Sequence, residues 1–383
     1  MNLDFSEEQI MLRNMARDFL SDKFPKKVVK ELEDDETGYS PEIWKEMVEL
    51  GWMGLAIPEK YGGEGMTVQD LTVLIEEMGR ACVPGPYFST VVLGALPILN
   101  FGREEQKSKY LPEIAKGSAI FTMALYEENG RYDAGGIQVK ASQDEDGYII
   151  NGTKLFVPDA HIADYIICAA RTKEGATIEE GITLFIVDTK SPGIDCTPLK
   201  TISKEKLCQV VFNNVKVPVN NVLGDPDNCW SGIEKIVQTA ATAKCCDMVG
   251  SFMQVFEMTL EYAKERYAFG QPIGSFQAVQ HHCANMSIDV NGAMLAAYQA
   301  AWKIDTGLPC AWEVAVAKAW ASQVAPRVIA LAHQIHGAIG TTMDHDLHYY
   351  TRRCKAAESA FGDVDYYQGL VAEHIRKEAE INV

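Results

Sequence analysis

The segment RYAFGQPIGSFQ, residues 266–277, interrupts a long helical pattern with a glycine-containing turn. Residues 232–266 before it and residues 276–305 after it both keep apolar side chains at helical spacing. Further helical patterns lie at residues 312–337 and 363–379, with a shorter one at 344–358. Four long helices are typical of a helix bundle, so we predict one in the C-terminal part of the chain.

The first third of the chain also carries helix signals. Ser6 followed by Gln9 is a capping-box pattern and predicts a helix start. Ser40 as N-cap, Pro41 at the first helical position and Gly51 as a stop predict another helix. The strings TVQDLTVLIEEMGRA and REEQKSKYLPEIAKG have the same character. We therefore expect a helical N-terminal region.

The middle of the chain has a strand pattern. Its strings are short, rich in β-branched residues and separated by turn residues, namely GYIINGTKLFVP, DYIICAAR, ITLFIVD and LCQVVFNNVKVP. Asn151 followed by Gly152 is a strong hairpin signal. We predict an all-β unit over about residues 121–225, with a hairpin turn at this dipeptide.

Composition excludes several classes of protein. The formal net charge of −18 argues against binding to nucleic acid or to an anionic membrane, because both need clustered Lys and Arg. No stretch of about 18 apolar residues predicts a membrane span, and the N-terminus has no signal-peptide pattern. The ten cysteines include no CxxC pair. We therefore expect a cytoplasmic protein with reduced thiols.

Histidines and glycines near the end of the third long helix suggest two kinds of site. His333 and His336 are one turn apart, but spacing defines no third ligand, so we expect caps and core contacts and no metal. Gly337 follows at once, in QIHGAIGT. It is a helix C-cap signal, but backbone amides at such a turn, together with a fixed guanidinium such as Arg266, also suit a pyrophosphate.

Over nearly its whole length the sequence resembles the acyl-CoA dehydrogenases, flavoproteins that oxidise acyl-CoA thioesters at the α and β carbons. The order and spacing of five segments carry the resemblance: GLAIPEKYGG at 54–63, DGYIINGTKLFVPDAHIADYIICAAR, VVFNNVKVPVNNVLG, RYAFGQPIGSFQ, and QIHGAIGTTMDHDLHYYTRR. The family resemblance implies an α+β fold that is mostly α. Its expected parts are an N-terminal helical domain at 1–120, a central β-barrel at 121–225 and a C-terminal four-helix bundle at 226–383.

The resemblance also implies FAD as cofactor, an acyl-CoA substrate and an electron-transfer flavoprotein as acceptor. Family members are homotetramers, or related dimers, with FAD at a subunit interface. The implied FAD contacts are Arg266 for the pyrophosphate of a neighbouring subunit; Phe269 and Gln277 for the adenosine end; Gln334, Gly337 and Ala338 for the ADP portion; and Leu125, Tyr126, Phe156 and Pro158 for the isoalloxazine. Tyr132 is the implied substrate contact.

The sequence departs from the family at the catalytic base. Relatives remove the α-proton with a glutamate, whose two known places fall here on Phe361 and Ala240. The arginine that often follows the second place is replaced by Ala241. The nearest acidic candidates are Asp363, then Glu358 and Asp365. For each of these acids, solvated surface near a helix start is the alternative.

The β segment departs as well. Tyr126 and Tyr132 replace a threonine and a serine, and Pro158 has no N–H to offer to the flavin. Two hypotheses remain open. The chain is an active dehydrogenase with a displaced base, for an alicyclic, aromatic-derived or steroid-type acyl group, or it is the non-catalytic member of a heteromeric dehydrogenase.

Overall fold

The computed structural model describes residues 5–381, and its elements follow the predicted order of helices, strands and helices. The N-terminal helices are α1 (Glu7–Lys23), α2 (Lys26–Asp34), α3 (Pro41–Glu49), α4 (Val68–Ala81), a π-helical segment (Phe88–Ala95), α5 (Leu96–Phe101) and α6 (Glu104–Ala115). The strands of the middle region are β1 (Phe121–Ala124), β2 (Lys140–Asp144), β3 (Gly147–Pro158), β4 (Tyr165–Arg171), β5 (Ile182–Asp188), β6 (Ile194–Pro198), β7 (Leu207–Pro218) and β8 (Val222–Leu223). The C-terminal elements are α7 (Trp230–Glu265), β9 (Tyr267–Ala268), β10 (Gln271–Pro272), α8 (Gln277–Asp305), α9 (Ala311–His336), α10 (Leu347–Ala357) and α11 (Val364–Ile381).

Both predicted helix starts in the N-terminal region are confirmed. Ser6 Oγ accepts a hydrogen bond from Gln9 N at 3.2 Å, and Gln9 Oε1 accepts one from Ser6 N at 3.0 Å. Ser40 caps α3, whose first residue is Pro41, and Gly51 follows the helix with φ of 74°. Helix α2, the π-helical segment and α5 were not predicted, because their apolar residues form runs or short stripes with no strong cap.

The chain divides into two compact units. One contains the residues up to Val29, Val68–Val83 and the residues from Ala241 onward, and the other contains Lys30–Thr67 and Pro84–Ala240. The domain boundaries at residues 120 and 225 stay a prediction. None of the helices within residues 5–381 is long and apolar enough to cross a membrane.

The β region of the second unit is one mixed sheet in the order β6-β7-β3-β2-β4-β5-β8, with β1 paired in parallel to β4. The predicted fold class, with helices before and after a β unit, is confirmed, but the sheet is not a closed barrel, since this path has two ends and, among the described strands, β6 and β8 do not pair. The end strands are short, and β8 has only two residues, so they offer few hydrogen bonds for closure. Apolar side chains of the central strands, including Ile150, Phe185 and Val210, form the core against one face.

The predicted hairpin at Asn151-Gly152 is also wrong. Both residues lie inside β3, where the pairing with β7 shifts register between Ile150 and Gly152. Gly152 has φ of 139°, and a Cβ there would lie 2.8 Å from the Val139 side chain. The dipeptide therefore lies opposite a bulge, in which Asn213 and Asn214 of β7 face the single residue Asn151. The hairpin between β2 and β3 turns at residues 145–146 instead.

In the first unit, α4 and α7 approach each other backbone to backbone. A Cβ on Gly250 would lie 1.8 Å from the Glu76 carbonyl oxygen, and one on Gly79 would lie 2.0 Å from that of Asp247. Only glycine leaves room for this approach. The four long helices α7, α8, α9 and α11 confirm the predicted helical C-terminal region, and small residues such as Ala293, Ala297 and Ala321 are buried between them.

The close packing buries a carboxyl group. Glu76 is 2% exposed, and its Oε2 accepts a hydrogen bond from Tyr298 Oη at 2.7 Å. Burial raises the pKa of Glu76 to about 7, opposed by the Tyr298 hydrogen bond and aided by the charge of Glu77. Arg17 donates two hydrogen bonds to the Glu77 carboxylate, at 2.9 and 2.6 Å. Glu76 is hydrogen-bonded by Tyr298 instead. The protonated form of Glu76 is therefore the form that the folded chain prefers.

We expect stability to fall as pH rises through this pKa. The stabilisation from protonated Glu76 is complete below its ordinary pKa of 4.5 and is lost on passing about 7. E76Q keeps an acceptor for Tyr298 without the charge, so above pH 8 it should be more stable than the wild type by up to about 3 kcal/mol. Urea unfolding at pH 5 and pH 8 measures this difference. E265Q, at the exposed end of α7, is the control; equal pH dependence of E76Q and wild type would contradict the assignment.

Candidate functional site

A buried ion pair organises the part of the second unit that carries the predicted flavin contacts. Lys154, on β3, is fully buried, and its Nζ lies 2.7 Å from Glu127 Oε1. The same ammonium donates to the Leu125 carbonyl oxygen at 3.1 Å. Leu155 N donates to the Tyr126 carbonyl oxygen at 2.9 Å. The segment after β1 is therefore held against β3.

Glu127 also orders the loop that follows it. Its Oε1 accepts hydrogen bonds from Gln138 N at 2.9 Å and Val139 N at 3.0 Å, in addition to the Lys154 ammonium. Three hydrogen bonds to one carboxylate compensate for the hydration that it loses on burial. Glu127 Oε1 therefore fixes both ends of the loop between residues 127 and 139.

Phe156 faces outward from the same strand. It is 55% exposed with φ of 55°, and the register with β7 shifts between Lys154 and Val157. This irregularity turns the ring away from the core, while Lys154 and Val157 stay buried. Pro158 follows, and its carbonyl oxygen accepts a hydrogen bond from Thr122 Oγ1.

The end of β3 is fastened by a second buried carboxyl group. Ser89 Oγ donates to Asp159 Oδ2 at 2.6 Å, and Ser89 lies on the π-helical segment. Burial raises the pKa of Asp159 to about 6, against the effect of the Ser89 bond. Helices of this type often occur at functional sites. The Asp159 bond holds the backbone just after Pro158.

Tyr132 lies beside Tyr126. Their rings meet edge to face with centroids 5.7 Å apart, and both are partly exposed. The neighbouring Arg131 and Asp133 form a bidentate pair at 2.8 and 2.6 Å. The structure thus brings together the predicted contacts of this unit on adjoining segments, namely Leu125, Tyr126, Tyr132, Phe156 and Pro158.

The first unit carries the other predicted cofactor residues. Arg266 ends α7, and its carbonyl oxygen accepts a hydrogen bond from Ile273 N at 2.8 Å, which closes the β9–β10 turn. Its guanidinium is exposed and, among residues 5–381, has no hydrogen bond or ion pair. Phe269 is 96% exposed, with φ of 53°, and Gln277 begins α8 with its side chain exposed. These three side chains share one turn and face solvent.

Gly337 makes the end of α9 accessible. It has φ of 63°, and a Cβ at this position would meet no atom within 4 Å. Gln334 and Ala338, on either side, are exposed as well. The backbone of this turn is therefore accessible to a ligand.

The two histidines of this turn make core contacts. His333 Nε2 lies 2.9 Å from Thr351 Oγ1, and His336 Nδ1 lies 2.8 Å from the Ala332 carbonyl oxygen. The His336 ring stacks on Tyr262 with centroids 4.6 Å apart. Burial lowers the pKa of both imidazoles. They support the turn as neutral side chains.

The expected place of the base is a turn between α10 and α11. Phe361 has φ of 59°, and its carbonyl oxygen accepts a hydrogen bond from Tyr367 Oη at 2.8 Å. Asp363 is half-buried, and its Oδ1 accepts from Tyr366 N at 2.9 Å, so it caps α11. Glu358 pairs with Lys355 at 2.8 Å, and Asp365 is exposed in the first turn of α11. The alternative place, Ala240, and the next residue, Ala241, are both fully buried.

Comparisons with known proteins agree with this arrangement. Sequence models of the acyl-CoA dehydrogenase N-terminal, middle and C-terminal domains match residues 6–118, 122–215 and 230–375. A relative described as a probable acyl-CoA dehydrogenase, YngJ of Bacillus subtilis, is 34% identical over 98% of this chain and 100% of its own length. The chain therefore belongs to the acyl-CoA dehydrogenase family.

Solved structures show the same fold. Butyryl-CoA dehydrogenase from Megasphaera elsdenii superimposes with a TM-score of 0.91 and 28% identity, over 98% of this chain and 100% of that one. A chain of the ChsE4–ChsE5 complex from Mycobacterium tuberculosis superimposes with a TM-score of 0.89 and 28% identity, over 99% of each chain. The family consists of FAD-dependent oxidoreductases, so FAD is the cofactor of this chain.

The residues present fit FAD. The open Cβ direction at Gly337 and the uncompensated guanidinium of Arg266 suit the diphosphate. The exposed face of Phe156 suits a flat aromatic ring system. Sequence reasoning missed Lys154 and Ser89, which hold the segments of Tyr126 and Pro158 in place from inside the second unit. A lysine at an inward position of an apolar strand is the one signal that could have pointed to Lys154.

We expect K154M to destabilise the second unit strongly. It leaves the Glu127 carboxylate buried without its cation, at a cost of about 3–5 kcal/mol. K154M/E127Q should recover part of this loss, since the amide oxygen still accepts from the backbone without a charge. Urea unfolding measures both effects. K216M, which breaks an exposed pair with Asp144 on the same sheet, should cost less than about 1 kcal/mol; a similar small loss in K154M would show that the buried pair does not matter.

Proposed function

We propose that this chain is an FAD-dependent acyl-CoA dehydrogenase that oxidises the Cα–Cβ bond of an acyl-CoA thioester to an enoyl-CoA. Membership of the family supports the reaction class. The observation that supports it most directly is the set of exposed residues at the predicted FAD positions, above all the uncompensated Arg266 and the open turn at Gly337. Bound FAD supplies the acceptor for the hydride that leaves Cβ.

The chain's own residues would bind and orient. Arg266 would contribute a fixed cation for the diphosphate of a neighbouring subunit's FAD, with Phe269 and Gln277 beside the adenosine. Gln334, Gly337 and Ala338 would contact the ADP portion. In the second unit, Leu125, Tyr126, Phe156 and Pro158 would form the wall for the isoalloxazine. Pro158 can donate no backbone hydrogen bond there.

Asp363 is the proposed base. As the N-cap of α11 it has one carboxyl oxygen, Oδ1, bound to Tyr366 N at 2.9 Å. Its role would be to accept the proton from Cα. Glu358 is tied to Lys355, and Asp365 is exposed, so both are less suited to a dry site.

Further observations support a substrate class, partners and a location. The Tyr126–Tyr132 pair, where relatives carry small hydroxyl residues, supports an alicyclic, aromatic-derived or steroid-type acyl group. The family resemblance supports an electron-transfer flavoprotein as acceptor and a homo-oligomer. The ten cysteines, all within the described residues, are free thiols, which supports a reducing compartment such as the cytoplasm.

R266A should weaken FAD binding by about 10- to 100-fold, because a charge-assisted bond to phosphate contributes about 1.5–3 kcal/mol. Titration of the apoprotein with FAD, followed by flavin fluorescence, measures the affinity. R376A, on the exposed face of α11, removes an arginine away from the proposed site and serves as control. Unchanged affinity in R266A would remove this residue from the FAD site.

D363N should lower turnover by about 100-fold or more, since general-base catalysis contributes about 10²–10⁴. Asparagine is as good an N-cap as aspartate, so D363N separates the base from the cap. D363A should in addition lose about 1 kcal/mol of stability. D365N is the matched control. Loss of two hydrogens from CoA thioesters, followed by mass spectrometry, measures turnover, and full activity in D363N would exclude Asp363 as base.

A second candidate function is a non-catalytic subunit of a heteromeric acyl-CoA dehydrogenase, which completes the FAD site of a partner. Phe361 and Ala240 at both usual base positions favour it. The similarity to a chain of the two-component ChsE4–ChsE5 complex supports it too. In that case the purified chain would be colourless and inactive, and would take up flavin only when co-expressed with a related subunit. A yellow, active homomer would exclude it.

A further inference from the structure

A second lysine is fully buried, in the first unit. Lys318, in the middle of α9, has no exposed surface. Its Nζ donates to Ser322 Oγ at 2.9 Å, and to the carbonyl oxygens of Ala357 at 3.1 Å, Glu358 at 2.9 Å and Gly362 at 2.9 Å. An ammonium has only three protons, so at least one is shared. Three of the four acceptors belong to the last residue of α10 and the turn that follows it.

The acceptors are well matched to a positive charge. Ala357 and Glu358 end α10, where unpaired carbonyl groups carry partial negative charge. Ser322 Oγ itself donates to the Glu358 carbonyl oxygen at 3.2 Å. The titratable groups around the ammonium are Lys244 and Cys245 from α7, with Asp363 and Glu358 from the turn, and the buried Cys245 is a neutral thiol because burial raises its pKa to about 12. Burial, the strongest effect, lowers the pKa of Lys318 to about 8. Most molecules therefore carry the full ammonium at neutral pH.

The turn needs such a support. Phe361 with φ of 59° and Gly362 with φ of 119° both lie in left-handed backbone regions. A bulky side chain there costs about 1–3 kcal/mol, which the surroundings must offset. The ammonium binds the Gly362 carbonyl oxygen directly, one residue before Asp363. The position of the Asp363 carboxyl group is thus set from two sides, by Lys318 before it and by the start of α11 after it.

We propose that Lys318 is a positioning residue, which holds the α10–α11 turn so that Asp363 is presented for proton removal. This rests on the function proposed above. Lys318 acts through the backbone of the turn and touches no substrate. Its loss should therefore slow the chemical step more than it weakens substrate binding.

Hydrogen exchange tests the structural half. In K318M holoenzyme, a peptide covering residues 357–367 should exchange at least about 10-fold faster, since three bonds to the turn are lost. S322A, which removes one acceptor, should give a smaller increase of the same sign and decides the question if K318M does not fold. K303M is the control, because it breaks a bundle ion pair with Glu313 and does not touch the turn. The proposal is overturned if the peptide 357–367 exchanges at the wild-type rate in K318M. If K318M does not fold, wild-type exchange of this peptide in S322A overturns it.

Steady-state kinetics test the functional half. K318M should lower kcat by about 100-fold with KM changed less than about threefold, because a misplaced catalytic group costs rate and not binding. K318M/D363N should be no slower than D363N alone, since both changes act on one group. Full turnover in D363N would show that Asp363 is not the base. The exchange result would then assign Lys318 only a structural role in the turn, and the positioning role would be overturned. Additive losses in the double variant also overturn the positioning role.

Discussion

The burial of charged groups with complete hydrogen bonding is the constraint on which this structure depends. Lys154 and Glu127 form an ion pair inside the sheet unit, and the carboxylate receives two backbone N–H groups as well. Neither charge could remain buried without the other. Because the pair joins the segment after β1, β3 and the loop after Glu127, it sets the backbone of Tyr126 and the strand from which Phe156 faces outward.

The helical unit uses the same principle at a different place. Lys318 is buried, and its ammonium binds three backbone carbonyl oxygens and Ser322 Oγ. The turn after α10 carries Phe361 at the place that the family resemblance implies for the base. In this turn Phe361 has φ of 59°, and its carbonyl oxygen accepts a hydrogen bond from Tyr367 Oη at 2.8 Å. The turn is therefore held by hydrogen bonds on both sides, which suits both a displaced base and a partner that supplies one.

Several features of the site could be predicted from the sequence because they are local. Ser6 and Gln9 cap α1 through neighbours three residues apart, and Gly337 ends α9 by its own backbone freedom. The family resemblance then supplied roles for residues such as Arg266, which the structure leaves exposed. The Asn151-Gly152 signal failed because pairing with β7, more than 50 residues away, keeps the dipeptide inside a strand, opposite a bulge in β7.

Helix periodicity, strand alternation and caps were thus determined by the sequence itself, since they depend on residues within about one or two turns of each other. Tertiary structure alone decided that the sheet stays open, that Asn151-Gly152 lies within a strand, and that Lys154 and Lys318 are buried. The bonds of these lysines join segments 27 to 44 residues apart. Whether a lysine lies at the surface or is buried against hydrogen-bond acceptors depends on which distant segment packs against it. A local sequence pattern carries no information about that segment.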